Sequence, residues 1–475
     1  MSLSHSLNAA YSGLTASAKA ASIVAENMSN LRTPGYGRRE VLLSSSSIGG
    51  GVQIGGVLRH SNPAVIGERR AAQAMSAGAE TRTAFLASLE GLLGLPGAAG
   101  SLSNRISAFD TALTTAAASP GTEAQLSGVL GAAQSLAGML RGLSDHVQQA
   151  RSTADRAIAG DVGLLNDTLK QVETLNRDIQ RMTAVRQDTA SLVDQRQALV
   201  DRIAQIVPLR EVARDGGQIA LYSIGGAALI DGQAGVFGFA PAGQIGPATA
   251  GLSGLTLNDR PVSTDAIGLM RGGRLAASFE VRDTLAPQAQ VRLDAVARDL
   301  ITRLEGVDPT VAPGAPGLLT DGGNAFGAAQ EPGLAGRIAV NAAVDPAQGG
   351  ALWRLRDGLG ATVPGDAGNG KLLTDLASAL NDPRATASGG FLPGTRDFAG
   401  LGAELLSGIA SARLAEESGA ALAASRQTAL AELEAQGGVD TDQETQRLLM
   451  IERSYAANAR VIQAVEQMLD RLLEI

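Results

Sequence analysis

Apolar residues recur in strict 3-4 steps at both ends of the chain. Near the start the series runs Leu3, Leu7, Ala10, Leu14, Ser17, Ala21, Val24, Met28 and Leu31. This spacing predicts a helix about 40 Å long with a heptad-like seam, at about 1.5 Å per residue. Small residues alternate with large ones along the seam, so a close neighbour fits against it. Pro34 disfavours helix at Thr33, and Thr33-Pro34-Gly35-Tyr36 suits a type II turn. Near the end the series is Leu448, Ile451, Tyr455, Asn458, Ile462, Val465, Leu469 and Leu472. Thr441 and Glu444 have capping-box spacing just after the Gly437-Gly438 break. Asn458 on the seam is a polar residue of the kind that fixes register at some cost in stability. The two ends read as coiled-coil partners. Periodicity alone divides evenly between a hairpin that closes a monomer and a surface that assembles.

The interior changes period twice. Residues 64 to 207 read as mostly helical, most clearly along Ile158, Val162, Leu165, Leu169, Val172, Leu175, Ile179 and Met182, then Leu192, Leu199, Ile203 and Ile206, with Pro208 as the stop. From 209 to 280, Gly216-Gly217 and Gly225-Gly226 separate short β-type runs such as 218–224. Helix resumes at Arg282 to Leu304. Residues 306 to 400 are rich in Gly, Pro, Asp and Asn, with a strand expected at 337–341 and a short helix near Leu372 to Leu380. A last long helix is expected from Leu401 to Ala435. Ser44 to Ser47 and Gly49-Gly50-Gly51 read as a flexible loop.

The expected fold is therefore mainly α with a β insert. Residues 1–35 and 438–475 would form a terminal coiled-coil assembly domain. Residues 36–207 and 281–437 would form a discontinuous, mainly helical domain, and 208–280 a small β-rich outer domain inserted in it.

Composition adds exclusions. The 475 residues carry a net charge of -8, which argues against nucleic acid and favours mutually repelling monomers before assembly. At 44% hydrophobic the chain has ample material for cores, so wholesale disorder is not expected; with only 3% aromatic and 59 Gly, that material is mostly small and aliphatic. No run approaches the roughly 20 apolar residues that span a bilayer, so no membrane insertion is expected. The first residues have neither the charged nor the apolar region of a Sec signal peptide. Cysteine is absent, which removes disulfides, thiolate chemistry and Cys-ligated metals. His5, His60 and His146 lie far apart, with no second His at helical spacing, so no metal site is expected. Asp194, Arg196, Asp201 and Arg202 read as a solvated or inter-helix charge network. No phosphate-cradling glycine motif is present. No catalytic residue, cofactor site or metal site is assigned, and the chain is not expected to be an enzyme.

Residues 27–38, Asn-Met-Ser-Asn-Leu-Arg-Thr-Pro-Gly-Tyr-Gly-Arg, resemble the N-terminal signature of flagellar rod, hook and hook-associated proteins. Asn30, Thr33, Pro34, Gly35 and Tyr36 form its turn, and Arg32 stands where Asn is usual. Residues 455–462, followed by Met468-Leu469-Asp470, resemble the family's other terminal signature. The helical stretch around 174–179 and 194–200, and Gly272 to Asp283, are similar to hook-associated members. Rod and hook members turn β-rich soon after the first helix. Glu434 to Gly438 departs from the Ser-containing linker that is more common in the family, and 306–400 match only loosely.

The resemblance implies a structural subunit between hook and filament, located extracellularly in the flagellum. It would leave the cell unfolded through type III export, with an export chaperone holding its C-terminal segment. It would assemble with copies of itself in a ring or helical zone, next to hook protein on one side and hook-associated protein 3 on the other. The assembly interface would be the two seams, Leu3, Leu7, Leu14, Val24, Met28 and Leu31 with Leu448, Ile451, Tyr455, Asn458, Ile462, Val465, Leu469 and Leu472. Exposed seams are unstable alone, so both terminal helices are expected to be loose in the monomer and to order on assembly. A rod or hook subunit would need an early β-rich interior. An unrelated helical adhesin or secreted effector would leave the two terminal signatures unexplained. A peptidoglycan hydrolase domain would need a carboxylate or Cys/His constellation, and none is evident.

Overall fold

The computed structural model describes residues 3–33, 35–46, 50–249 and 251–473. Helix α1 (Leu3–Ser29) is followed by a β-hairpin, β1 (Arg39–Ser45) and β2 (Val52–Arg59). Four helices come next: α2 (Pro63–Leu93), α3 (Leu102–Ala118), α4 (Glu123–Ala184) and α5 (Ala190–Ile206). Asn62 caps α2, accepting from the backbone of Ala64 and Val65, and Pro63 occupies the first turn, where no N–H is needed. At 62 residues α4 is about 93 Å long, and it forms the spine of the molecule.

An antiparallel meander of β3 (Leu209–Ala213), β4 (Ile219–Ser223), β5 (Ala228–Asp231) and β6 (Gln233–Ala234) then packs on the spine, in that spatial order. A second sheet holds β7 (Phe237–Gly238), β8 (Leu255–Leu257) and β9 (Arg260–Val262). Asn258 and Asp259, which link β8 to β9, both have positive φ, as a two-residue turn of the primed type requires. The chain returns through α6 (Gly273–Glu280), a π-helical turn at Val281–Leu285 and α7 (Ala286–Leu304). That turn precedes Pro287, whose missing N–H leaves an i−4 carbonyl without its helical donor. The region beyond holds β10 (Leu319–Asp321), α8 (Leu334–Arg337), β11 (Ile338–Val340), α9 (Arg354–Asp357), α10 (Lys371–Asn381), β12 (Arg384–Ala385) and β13 (Thr395–Arg396). The last two helices are α11 (Phe398–Gln436) and α12 (Thr441–Leu473). The protein is mainly α with a β insert.

Two hydrophobic cores share the spine. The first half of α4 packs with α3, α7, α10 and the start of α11 around Phe109, Leu140, Leu293 and Phe398. The second half packs with α5, α6 and the insert around Leu165, Leu169, Leu221 and Leu275. The β insert is thus built onto α4 and α5 and has no separate core of its own. Ion pairs Arg69–Glu434 and Arg413–Glu90 staple α2 to α11 along an antiparallel contact.

Three elements differ from the sequence-based expectation. Residues 39–59, read as part of the helical region with a flexible loop at Ser44 to Ser47, form a hairpin up to Ser45; Ser47 and Gly49 lie outside the described residues. Helix resumes at Gly273, nine positions before Arg282, and Gly273 packs against the backbone of Ile206 too closely for any side chain. Thr441 does not cap α12. Asp440 does, its Oδ1 accepting from Asp442 N at 2.8 Å and Gln443 N at 3.1 Å, which frees Glu444 for another contact.

Where the two cores meet, Arg282 donates to Asp155 Oδ1 at 2.7 Å, and both side chains are completely buried. The guanidinium also lies over the rings of Phe239 and Phe279, and donates to the carbonyl of Ser253. Asp155 accepts in addition from Ala242 N at 2.7 Å. Arg282 also donates to both oxygens of Asp283, at 2.8 and 2.9 Å. Asp155→Ala therefore leaves the guanidinium one buried acceptor short and Ala242 N unpaired, and should destabilise the protein by about 2–4 kcal/mol in denaturant unfolding. The double variant Asp155→Leu with Arg282→Met should lose clearly less than the sum of the two single changes.

Candidate assembly interface and its polar junction

Helix α1 carries two stripes of small and apolar residues. One faces α12: Gly13 lies so close to Asn458 that a Cβ there would come within 2.6 Å of Asn458 Nδ2. At the other end Asn27 bonds to Glu444, so the two helices run antiparallel within one chain. The other stripe faces the hairpin. Ser12 Oγ accepts from Val52 N at 3.0 Å, and Gly51, at φ +96°, presses on Ser12 where a Cβ would collide. Ala16, Ile23 and Asn27 continue this stripe and are buried. It is visible in the sequence as Ser12, Ala16, Ala20, Ile23 and Asn27 at 3-4 spacing, next to the seam already singled out.

The seam residues fall into three groups. Val24 and Val465 are buried, whereas Leu3, Leu7, Leu14, Ile451, Asn458 and Ile462 are half-buried. Met28, Leu31, Leu448, Tyr455 and Leu469 are exposed, Tyr455 by 45%. Pro34 and the side chain of Leu472 lie outside the described residues. Intramolecular pairing therefore covers only part of each seam. More apolar surface is open beside it: Leu42, Leu43, Ile54 and Leu58 on the hairpin, and Leu449, Met450, Val461 and Met468 on α12. A folded monomer seldom leaves so many large side chains uncovered on one unit.

The signature residues meet at the base of this unit. Asn27 is fully buried and uses both ends of its amide. Its Oδ1 accepts from Tyr36 Oη at 2.7 Å and Arg39 N at 3.0 Å. Its Nδ2 donates to the carbonyl of Arg39 at 2.9 Å and to Glu444 Oε2 at 3.1 Å. Arg38 Nε donates to the other oxygen of Glu444 at 2.9 Å. Tyr36 N donates to the carbonyl of Thr33 at 3.2 Å, and Gly35 has φ +80°, as a type II turn needs. Thr33 Oγ1 donates to Asn30 Oδ1, so Asn30 secures the end of α1.

Asp194 at the start of α5 ties this junction to the body. Its carboxylate accepts from Arg39 at 2.7 Å, Arg59 Nε at 2.6 Å and Gly37 N at 3.1 Å. Arg196 and Asp201 from the same charge run are also drawn inside. Arg196 bonds to Asn176 and to the carbonyl of Gly217, while Asp201 holds Arg69 and Arg70. Of the histidines, His60 meets Glu40 at 3.0 Å and His146 meets Ser88 at 2.9 Å, with burial lowering the His146 pKa. Among the described residues no group of three or more His, Cys, Asp or Glu is placed to hold a metal ion. No described helix is long and apolar enough to cross a membrane.

Comparison with known proteins locates this architecture. Residues 86–308 match the model for the flagellar hook-associated protein FlgK helical domain. Residues 435–475 match the C-terminal model of the flagellar basal body rod FlgEFG proteins. Both models describe flagellar proteins, and they match separate parts of this chain. Flagellar hook-associated protein 1 of Salmonella typhimurium is 29% identical over 240 residues, covering 48% of this chain and 43% of that protein. Its Escherichia coli counterpart is 26% identical over 240 residues, covering 48% and 44%. The chain thus matches less than half the length of either relative. A solved structure of the flagellar hook junction protein FlgK from Burkholderia pseudomallei aligns at a TM-score of 0.43 and 21% identity, over 54% of this chain and 47% of that one. The first family match spans α3 to α7 with the insert, and the second spans α12. Helix α1 and the hairpin lie outside both.

The junction yields two predictions. Asn27→Asp keeps the acceptor for Tyr36 but turns the Nδ2 donor into a charged oxygen facing Glu444. It should lower the unfolding free energy by about 2–3 kcal/mol, and Glu444→Gln should restore part of that loss. Burial, opposed by Arg39 and reinforced by Glu26, Asp194 and Glu444, pushes the Tyr36 phenol from 10.0 up to about 12. The folded state therefore holds the phenolic proton more tightly than the unfolded state. Its contribution to stability is complete below pH 10.0 and should be lost as pH rises through about 12. Tyr36→Phe should flatten that alkaline decline in pH-dependent melts.

Proposed function

We propose that this chain is a structural subunit of the bacterial flagellum, placed at the junction between hook and filament. It does no chemistry; its work is to bind copies of itself and two unlike neighbours. The observation that carries the reading is a rod-type C-terminal helix paired with α1 beside an FlgK-type helical interior. The unit made by residues 1–35 and 438–475, with the hairpin, is the assembly element. The body (36–207 and 281–437) and the β insert (208–280) face outward.

The seam residues act in this reading as half-satisfied contacts. Leu448, Tyr455 and Leu469 are open on α12, and the hairpin adds Leu42, Leu43 and Ile54. Burying each large apolar side chain against a neighbour contributes roughly 1.5–3 kcal/mol, opposed by the entropy of ordering the helices. Hairpin and α12 are different surfaces, so contacts between copies are head-to-tail and propagate as a ring or helical zone. Hook protein and hook-associated protein 3 flank that zone. The chain reaches it unfolded through the export channel, with a chaperone on the C-terminal segment before export.

Deleting the gene should leave cells with hooks but no attached filaments in electron micrographs; filaments persisting on the hooks would contradict the reading. Complementation with Leu43→Glu or Leu449→Glu should fail to restore filaments. The same substitutions should change monomer stability by no more than about 0.5 kcal/mol, because both side chains face water.

A further inference from the structure

A groove of about 710 Å³ runs between the start of α2, the face of α5 and the edge strand β3. We propose that it binds an acidic peptide in extended conformation, added as a strand along β3 with a side-chain carboxylate reaching Arg210 and its negative charge offsetting the positive charge of the buried Arg196. The proposal concerns a second surface and does not depend on how the terminal helices assemble.

Two independent observations support it. The first is the sheet edge. Among the described residues, strand β3 pairs only with β4. Ile224 N donates to the carbonyl of Pro208, and Arg214 N donates to the carbonyl of Gln218. Positions 208 and 214 therefore face β4, and by alternation 209, 211 and 213 turn their peptide groups outward, along the groove. An incoming strand finds donors and acceptors already in register.

The second observation is charge. Arg196 is only 4% exposed, lines the groove, and makes no ion pair among the described residues. Its Nη1 donates to two neutral oxygens, and its Nε is buried without a partner. Burying a guanidinium with no counter-charge is costly, and a carboxylate held nearby in the groove would lower that cost. The nearby Glu211 is not free to supply it, because Arg70 and Gln197 hold its oxygens at 2.9 and 3.1 Å. Arg59, on the same wall, is neutralised by Asp194. Arg210 is exposed on β3, and its side chain has no hydrogen bond or ion pair among the described residues. In a chain of net charge -8, this is a local excess of positive charge against an open strand edge. That combination selects carboxylate-bearing extended peptide over a helix or a neutral segment.

The test is fluorescence anisotropy of a labelled peptide alternating glutamate and valine, titrated with the full-length protein. A lysine–valine peptide serves as control. Saturable binding of the acidic peptide alone is expected, weakened about tenfold or more by Arg210→Glu. Ala213→Pro removes one outward N–H and leaves the ladder to β4 intact, so it should weaken binding comparably without changing the melting temperature. Absence of saturable binding, equal binding of the lysine peptide, or binding untouched by both substitutions would overturn the proposal. Loss with Arg210→Glu but not with Ala213→Pro would overturn the strand-addition geometry.

Discussion

Asn27 is a neutral amide with no contact to solvent, and four hydrogen bonds converge on it. Its oxygen organises the signature turn through Tyr36 and the start of the hairpin through Arg39. Its nitrogen reaches Glu444, 417 positions away, at the start of the last helix. An amide is suited to this place because it offers donors on one side and an acceptor on the other. A carboxylate would repel Glu444, and an apolar side chain would strand the buried groups around it. The order of packing follows from this contact: α12 lies antiparallel on one stripe of α1, the hairpin lies on the next, and Asn27 is common to both.

Asp194 extends the same logic outward. Two guanidiniums and a backbone N–H from the terminal unit end on one carboxylate of α5. Pairs of this kind are worth most when partly buried and multiply hydrogen-bonded, as here. The chain crosses between unit and body near Ser61 and near Gly437-Gly438, so Asp194 adds a non-covalent tie next to the covalent ones. Strength is thereby concentrated at the base of the terminal unit. Farther along, Leu3, Leu7, Ile451 and Ile462 are only half-buried, and Tyr455 and Leu469 stand open. The unit is tied by polar bonds at its base, while its apolar seam is covered only in patches, with Val24 and Val465 buried and Met28, Leu448, Tyr455 and Leu469 open.

Much of this was readable from residue spacing. The long helices announced themselves through apolar residues at 3-4 steps, because each packs one stripe against a core: Ile158 to Ile179 on α4 is the clearest case. The β insert was visible where glycine pairs interrupt β-branched runs. The hairpin was not. Its strands carry Ser44, Ser45, Gly55 and Gly56, and both of its faces are largely exposed, so no alternation of apolar and polar residues marks it. Glu444 was misread for a different reason. Thr441 and Glu444 have the spacing of a capping box, but Asp440 one position earlier takes the cap, and the carboxylate is used across 417 positions of sequence. Local spacing cannot carry such a contact. The charge run from Asp194 to Arg202 suggested a solvated face or a bridge between helices. Two of its members, Asp194 and Asp201, form ion pairs with other elements, and Arg196 is buried next to the β insert.

Hydrogen exchange read by mass spectrometry on the monomer and on assembled protein is the most direct measurement of this account. In the monomer, protection should be strongest around Asn27, Tyr36, Arg39 and Glu444 and fall along α1 and α12 toward Leu3 and Leu469. In assembled protein it should be high along both helices. If both helices are as protected in the monomer as the core of α4, and assembly adds nothing, the terminal unit is a closed hairpin and the account is wrong.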